Sequence, residues 1–370
     1  MKRVVLLGGG HSHLEVVRRF GANPATSTEI LLVDPAQFAT YSGMLPGLIA
    51  GHYLFDDCHI DLRRLAQRNG ARFVYAGACG IDSARRQVML NDGTRLEYDV
   101  VSIDVGSTPP TAGVDGASRY AVAAKPFISF ARRWDRLIAA AEAGQLRNLV
   151  VVGAGAAGLE LVLAMQYRFT QTRAAHAVRF AVVTDAPCPL PEGGNRARAA
   201  LERVLAQREI NVYLNSPVTS VESNTVVVSG STRIASDATV WATGAAAPAW
   251  LKQTGLEVDA RGFLRVDDHL ASISNPAIFA AGDCATIEGR HYPKSGVYAV
   301  RQGPVLAENL RRALNGERFS SYRPQARALA LISTGERYAI ASYGRWMLEG
   351  APVWRWKDYI DRKFMRRYRA

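Results

Sequence analysis

Two glycine-rich turns, each set directly after a run of aliphatic residues, constrain this chain more than anything else in it. Residues 149–160, LVVVGAGAAGLE, end a β-branched run in Gly153-x-Gly155-x-x-Gly158 and pass at once into an apolar helical pattern. In such a turn the first glycine permits the bend, the second lets the backbone approach a pyrophosphate, and the third lets helix lie close on strand. The helix N-terminus adds free N–H groups and the positive end of its dipole. Residues 4–13, VVLLGGGHSH, repeat the strand-to-turn design at the start of the chain. Gly8 and Gly10 keep their places, His11 and Ser12 follow, and the helix is expected to begin at Ser12 or His13. His13 stands where the third glycine belongs, so a side chain must fit where helix and strand usually touch. Two such turns in one chain point to one nucleotide held permanently and one that visits.

At 370 residues the chain exceeds what one hydrophobic core usually serves, so two domains are expected. No apolar run is long enough to cross a bilayer, and Met1-Lys2-Arg3 leads straight into a strand, which predicts a cytoplasmic protein. The four cysteines, Cys58, Cys79, Cys188 and Cys284, form no CxxC or CxxxxC pair, so no metal site or local redox disulfide is signalled. A net charge of +12 fits nucleic acid, an anionic membrane surface or anionic cofactors. No helix-turn-helix, zinc-finger or RNA-binding signature supports the first of these.

In chain order, residues 29–33 read as the second strand, and Asp34 stands where an acid accepts hydrogen bonds from a ribose, unless it is an ordinary loop aspartate. Residues 40–53, TYSGMLPGLIAGHY, read as a shaped loop rather than a helix, carrying Tyr41, Met44 and Leu45 towards the first site or packing them on itself. Residues 88–90 and 95–97 form a hairpin through Asn91-Asp92-Gly93. Residues 98–105 are a further strand closed by Gly106, and Pro109-Pro110 mark the exit from the first domain. Beyond the second turn, a strand over 178–184 ends at Asp185, an acid that favours NADH and repels a 2′-phosphate, with Arg196 and Arg198 placed to compensate. Residues 225–228 pair with 231–234, and Thr243-Gly244 closes the unit. The chain then returns to the first domain with residues 275–283, a buried strand ending in Gly282-Asp283, and a helix over 296–314.

With these residues assembled, the chain resembles the flavin-dependent pyridine nucleotide oxidoreductases of the glutathione-reductase structural group. The landmarks are Gly8-Gly9-Gly10, Asp34, Gly153 to Gly158, Ala242-Thr243-Gly244 and residues 279–283, in that order and over most of the length. Within the group, GGGHSH, TYSGMLPGLIAGHY, Ala124-Lys125-Pro126 and residues 293–304 look like the type II NADH dehydrogenase-like branch associated with selenide, water dikinase, a branch that shares His13. The resemblance implies an α/β protein with two Rossmann-like dinucleotide-binding domains and a C-terminal α+β segment. FAD would occupy residues 1–115 and 244–315, NAD(P)H residues 116–243, and residues 316–370 would form the C-terminal segment. Gly8, Gly10, His11 and Ser12 would hold the FAD pyrophosphate and Asp34 its adenosine ribose. Asp283, after Gly282, would hold the ribityl chain, with Tyr41, Gly106 and Gly244 lining the cofactors. Gly153, Gly155 and Gly158 would hold the nicotinamide cofactor, with Glu160 beside it and Asp185 at its ribose. Disulfide reductases of the group carry two nearby cysteines after the first site. Here Tyr41-Ser42-Gly43 occupies that region, so disulfide reduction by that device is not expected.

The implied reaction is hydride transfer from NAD(P)H to FAD, then electron release to a quinone or other small acceptor. The cofactors carry the chemistry and the fold sets their approach. Lys294, Tyr298 and Gln302 are candidates for the acceptor side, or else packing residues. Near the C-terminus, Trp356, Ile360, Phe364 and Tyr368 recur every four residues among Lys357, Arg362, Lys363, Arg366, Arg367 and Arg369. On a helix this makes an apolar stripe flanked by cations, which suits either an anionic membrane surface or packing against its own domain or a second subunit. Two other functions remain open: a selenium- or sulfur-linked reductase, and a flavin-binding redox sensor with little turnover. The complete second fingerprint favours turnover.

Overall fold

The structure is a computed structural model that describes residues 1–172 and 177–369. Its organising strand is Lys2–Leu7, whose continuous apolar run is buried on both faces, as a central parallel strand requires. It lies between Thr28–Asp34 and Val100–Ile103, parallel to both, with Val4 opposite Ile30 on one side and Val100 on the other. The chain leaves this eight-stranded sheet after Ile103, returns to it with Leu264–Val266, and sets Asn275–Ala280 beside Val100–Ile103. Arg72–Tyr75 forms one edge, and Leu264–Val266, Ala271–Ser272 and Ala285–Ile287 complete the other side with two antiparallel pairings. A second, five-stranded sheet is wholly parallel, in the order Ala121–Ala123, Ala238–Trp241, Asn148–Val152, Arg179–Val183, Asn211–Tyr213. In both sheets the strand that ends in a glycine turn is flanked on one side by the strand that follows it in the chain and on the other by one that comes much later. That reversal of winding opens a crevice at its C-terminal end, where α/β proteins bind ligands.

The first helix runs His11–Ala22, starting one residue before expectation. His13 resolves the missing third glycine. Its ring is fully buried, with Nδ1 2.6 Å from the Gly8 carbonyl oxygen and Nε2 2.8 Å from Ser102 Oγ. A carbonyl only accepts, so Nδ1 carries the proton and Nε2 accepts from the serine hydroxyl. The histidine thus stitches turn, helix and neighbouring strand together where a glycine would merely let them touch. Burial drives its imidazole down to about 4, against the opposing bond to Gly8. It therefore stays neutral on folding, and its contribution is lost as pH falls from the unfolded value of 6.5 towards 4. His13→Gly, which restores the usual fingerprint, is expected to destabilise by roughly 3 kcal/mol through the cavity and two orphaned polar groups. Urea unfolding at pH 7 measures this, and an unchanged midpoint would refute the stitch.

The stretch read as a shaped loop is instead helical. A 3-10 turn, Ser42–Met44, runs into the helix Leu45–Ile49. Pro46 lies in its first turn, where a missing N–H costs nothing, and a Cβ on Gly47 would meet Tyr53 Cε2 at 2.3 Å. Elsewhere Gln87–Leu90 and Arg95–Glu97 form the expected hairpin, and Thr225–Val228 pairs with Thr232–Ala235, one residue later than expected.

The C-terminal segment is a three-stranded antiparallel sheet, Ala330–Ser333, Ala339–Tyr343 and Trp346–Gly350, followed by the helix Ala351–Arg369. Its apolar stripe turns inward over the last two members. Phe364 and Tyr368 are buried in the core of the first sheet, and Tyr368 Oη donates to Glu15 Oε2 at 3.0 Å. Only Trp356 is exposed, with Ile360 at the margin. Lys357, expected among the flanking cations, is buried, because the Asp361 carboxylate and the Gly43 carbonyl receive it and the charge of Glu160 lies near. Among the described residues no helix is long and apolar enough to cross a membrane.

Candidate active site

The first turn is shaped by contacts that only glycine tolerates. Gly8 has φ +91°, and a Cβ there would stand 2.4 Å from the Asp104 carbonyl oxygen. Asp34, at the end of its strand, accepts from the Gly9 N–H at 2.6 Å and from Ala36 N–H at 2.7 Å, so it fixes the turn. Burial raises its carboxyl, partly offset by these two bonds. His11 and Ser12 occupy the first helical turn. Ser12 Oγ donates to the Ala299 carbonyl at 2.8 Å, tying the turn to the helix Gly296–Asn315. Gly303 lets those two helices close, since a Cβ there would meet Glu15 Cβ at 2.8 Å. His11 packs edge-on against Tyr41 (5.6 Å) and against Phe364 (5.7 Å), and Tyr41 stacks on Phe364 at 4.2 Å. Burial holds the His11 imidazole down to about 4, opposed by Asp283 and assisted by Lys125.

The second turn has the same logic with a different opening. Gly153 sits at φ +114°, its absent Cβ leaving room for the Ala242 carbonyl at 2.6 Å, and a Cβ on Gly158 would overlap the Gly153 carbonyl oxygen at 2.0 Å. Gly155, in contrast, is exposed and has nothing within 4 Å of its Cβ position, so the N-terminus of helix Ala156–Thr170 is open to a ligand. Gly244 and Asp185 are exposed at the ends of the neighbouring connections, and Gly106 also faces open space.

A family model described as pyridine nucleotide-disulphide oxidoreductase matches residues 2–303. The chain belongs to this family. A type II NADH:quinone oxidoreductase from Staphylococcus epidermidis is 24% identical over 87% of this chain and 85% of its own length. Among solved structures, the sulfide:quinone oxidoreductase of Aquifex aeolicus superposes with a TM-score of 0.85 at 18% identity, covering 100% of this chain and 92% of its own. NDH2 of Plasmodium falciparum, solved with NADH, gives 0.82 at 15% identity, covering 98% and 97%. At these identities the structures establish the fold.

Family membership makes the chain an oxidoreductase with FAD and NAD(P)H as cofactors. The residues present fit both groups, since each turn presents a helix N-terminus past a glycine whose Cβ would obstruct its own backbone. Asp104 gave no signal in the sequence, and Lys125 stood there as a landmark of the resemblance without a role. Asp283 Oδ2 receives Lys125 Nζ at 2.9 Å and Ser107 Oγ at 3.1 Å, and Lys125 Nζ also donates to Ser107 Oγ at 2.9 Å. Lys125 arrives from the strand Ala121–Ala123 of the second sheet, so this ion pair joins the two nucleotide units. Asp104, fully buried, accepts from the Ser12 and His13 N–H groups at 2.8 and 3.2 Å.

Of the residues expected on the acceptor side, Lys294 and Gln302 have their polar atoms engaged within the fold. Lys294 Nζ donates to the Ala285 carbonyl and, at 3.0 Å, to Thr286 Oγ1, and lies 4.3 Å above the Phe263 ring. Gln302 is fully buried; its Oε1 accepts from Gly282 N–H at 2.7 Å and its Nε2 donates to Tyr292 Oη at 3.3 Å. Tyr298 packs against Tyr292 at 4.9 Å. Gln302 therefore holds the Gly282-Asp283 turn in place from behind.

Glu160 leaves the second turn on the face towards the C-terminal segment. Its Oε1 accepts from the Ser333 N–H at 2.8 Å, and Lys357 supplies the nearest compensating charge. Lys357 Nζ donates to the Gly43 carbonyl and to Asp361 Oδ2, the latter at 2.7 Å. A buried cation thus connects the nucleotide-fingerprint helix, the 42–44 turn and the C-terminal helix. Burial pushes the Glu160 carboxyl up to about 7, with Lys357 opposing the shift.

Proposed function

We propose that this chain is an FAD-dependent NAD(P)H dehydrogenase that passes electrons to a quinone or another small acceptor. The observation that carries this reading is the pairing of two nucleotide turns, the second with its glycines complete, with the absence of a cysteine pair beside the first: Tyr41-Ser42-Gly43 fills that place, while Cys58 and Cys284 are buried and unpaired. Electrons leaving the flavin therefore need a diffusible acceptor. Type II NADH:quinone relatives over most of the length favour a quinone. A selenium- or sulfur-linked acceptor rests on the resemblance to the selenide, water dikinase-associated branch.

In this reading residues 1–115 and 244–315 hold FAD, residues 116–243 the nicotinamide cofactor, and residues 316–370 close the junction. FAD, when bound, supplies a carrier that takes a hydride and gives up electrons to the acceptor. The chain's own residues bind and orient. The Gly8 turn and the first helix receive the pyrophosphate, Asp34 the ribose and Asp283, braced by Lys125 and Gln302, the ribityl hydroxyls. The open Gly155 turn admits the exchangeable cofactor. Asp185 repels a 2′-phosphate, so NADH is preferred.

Rapid mixing of the yellow protein with each nucleotide tests this. NADH is expected to bleach the flavin at least about tenfold faster than NADPH, and failure of both would overturn the dehydrogenase reading. Reoxidation by quinones, oxygen and selenium compounds then separates the acceptors. For a peripheral membrane contact, the exposed Trp356 and Tyr359 beside Arg355, Lys363 and Arg366 are the relevant face. Liposome flotation of a Trp356→Ser, Tyr359→Ser variant tests that contact without removing the buried Phe364 and Tyr368.

A further inference from the structure

Asp104 stands at the end of strand Val100–Ile103, inside the first site, and two glycines make room for it. A Cβ on Gly10 would fall 2.2 to 2.3 Å from its carboxyl atoms, and a Cβ on Gly282 would fall 2.3 Å from its Oδ1. The second glycine of the first fingerprint and the glycine of the Gly-Asp turn thus both accommodate one buried carboxyl group. Its Oδ2 takes the Ser12 and His13 N–H groups of the first helical turn. The Leu14 N–H begins the helical ladder on the Gly10 carbonyl, and the Gly9 N–H belongs to Asp34. What the turn offers an incoming pyrophosphate is the pair of N–H groups on Gly10 and His11. Asp104 and a dinucleotide would therefore divide the donors of one helix N-terminus, two acids on one dipole end.

We propose that Asp104 is a positioning residue for FAD: it caps the first turn so that only the Gly10 and His11 N–H groups face the pyrophosphate, and it takes up a proton from solvent when FAD binds. This rests on the assignment of the first turn to FAD. The balance is simple. An ionised Asp104 and the anionic pyrophosphate repel each other across the turn; one proton added to Oδ1 removes the repulsion, and the carbonyl-type Oδ2 keeps both N–H bonds. Burial already pushes the Asp104 carboxyl up to about 7, helped by Asp283 and opposed by the His13 and Ser12 donors. His11 and His13 are held down to about 4, and the Cys284 thiol is pushed up to about 12. Lys125 reaches the cluster through its pair with Asp283. On the far side of the turn Asp34, itself raised by burial, is the remaining acid, and substituting Asp104 leaves it in place.

The sign follows by linkage. Below about pH 7 Asp104 is already neutral and FAD meets no penalty; above it each binding event must recruit a proton, so affinity falls as pH rises. The experiment titrates the full-length chain, stripped of flavin, with FAD between pH 6 and 9. Kd is followed by quenching of FAD fluorescence, and proton uptake by calorimetry in two buffers of different ionisation enthalpy. The wild type should bind about tenfold more weakly at pH 8.5 than at pH 6.5 and should absorb protons. Asp104→Asn, neutral and still able to accept with its amide oxygen, should bind at pH 8.5 nearly as well as at pH 6.5, without the uptake. The wild-type calorimetry stands whether or not the variant folds. FAD binding with no proton uptake and a flat pH profile would overturn this proposal alone, as would an Asp104→Asn profile that follows the wild type. No FAD binding at any pH would overturn it together with the assignment of the site.

Discussion

Gly158→Ala should give a protein that stays yellow but whose flavin NADH reduces about a hundredfold more slowly. The added Cβ would lie 2.0 Å from the Gly153 carbonyl oxygen and 3.0 Å from its carbon, both backbone atoms that no rotamer change can move. Helix Ala156–Thr170 must therefore back away from strand Asn148–Val152. Gly153 has no freedom to follow, because its own φ of +114° and the Ala242 carbonyl beside it fix the bend. Displacing the helix N-terminus moves the donors that receive the visiting pyrophosphate, and a misplacement of about 1 Å in an organised site costs on the order of a hundredfold. In the proposed assignment FAD belongs to the other sheet, so its stoichiometry should hold. Stopped-flow bleaching at fixed NADH, with the FAD-to-protein ratio as control, is the measurement. Wild-type reduction in Gly158→Ala would show that this turn does not hold the nicotinamide cofactor.

That the glycine turns could be read from sequence has a physical reason: their signal is local. An aliphatic strand, a glycine bend and an apolar helix follow one another within a few positions, although the carbonyls that close on each bend, those of Asp104 and Ala242, come from far along the chain. Asp34 and Gly282-Asp283 were legible because they sit at strand ends in fixed order. Asp104, Lys125 and Lys357 were not, since each acts on a partner far along the chain: Asp104 on Ser12, Lys125 on Asp283, Lys357 on Gly43. The helix at Leu45–Ile49 was missed because glycine and proline normally break helices, and here the proline falls in the one turn that tolerates it. The C-terminal stripe was legible as a helix but not in its facing. Periodicity reports that a side of the helix is apolar and is silent on what covers it. The answer lay in Glu15, more than 300 residues before the tyrosine that binds it.

Lys357→Met should lose stability by roughly 3–5 kcal/mol near neutral pH, the usual cost of removing one partner from a buried ion pair. The side chains of Lys357 and Asp361 are 9% and 6% exposed, so water cannot replace the missing cation. Methionine keeps the length of the apolar stem, which confines the change to the charge. Burial alone would lower the lysine, yet the Asp361 and Glu160 carboxylates more than offset it and leave it raised. The pH dependence separates this account from simple loss of packing. Glu160, raised from 4.5 to about 7, binds more protons folded than unfolded in that window, so its contribution to stability falls as pH rises through it. Without Lys357 the carboxyl is pushed higher and the window extends above pH 7. The variant should therefore lie furthest below the wild type at pH 8 and recover towards it at pH 5, where Glu160 is neutral and needs no cation. Thermal unfolding of the flavin-loaded protein at the two pH values should show a deficit of about 5 °C at pH 8, shrinking at pH 5. An equal deficit at both would mean that Lys357 acts through Asp361 and not through Glu160. Because the same ammonium reaches the Gly43 carbonyl beside Tyr41, a charge-dependent deficit would also show that the C-terminal helix holds the nucleotide-fingerprint helix and the wall of the first site in one electrostatic unit.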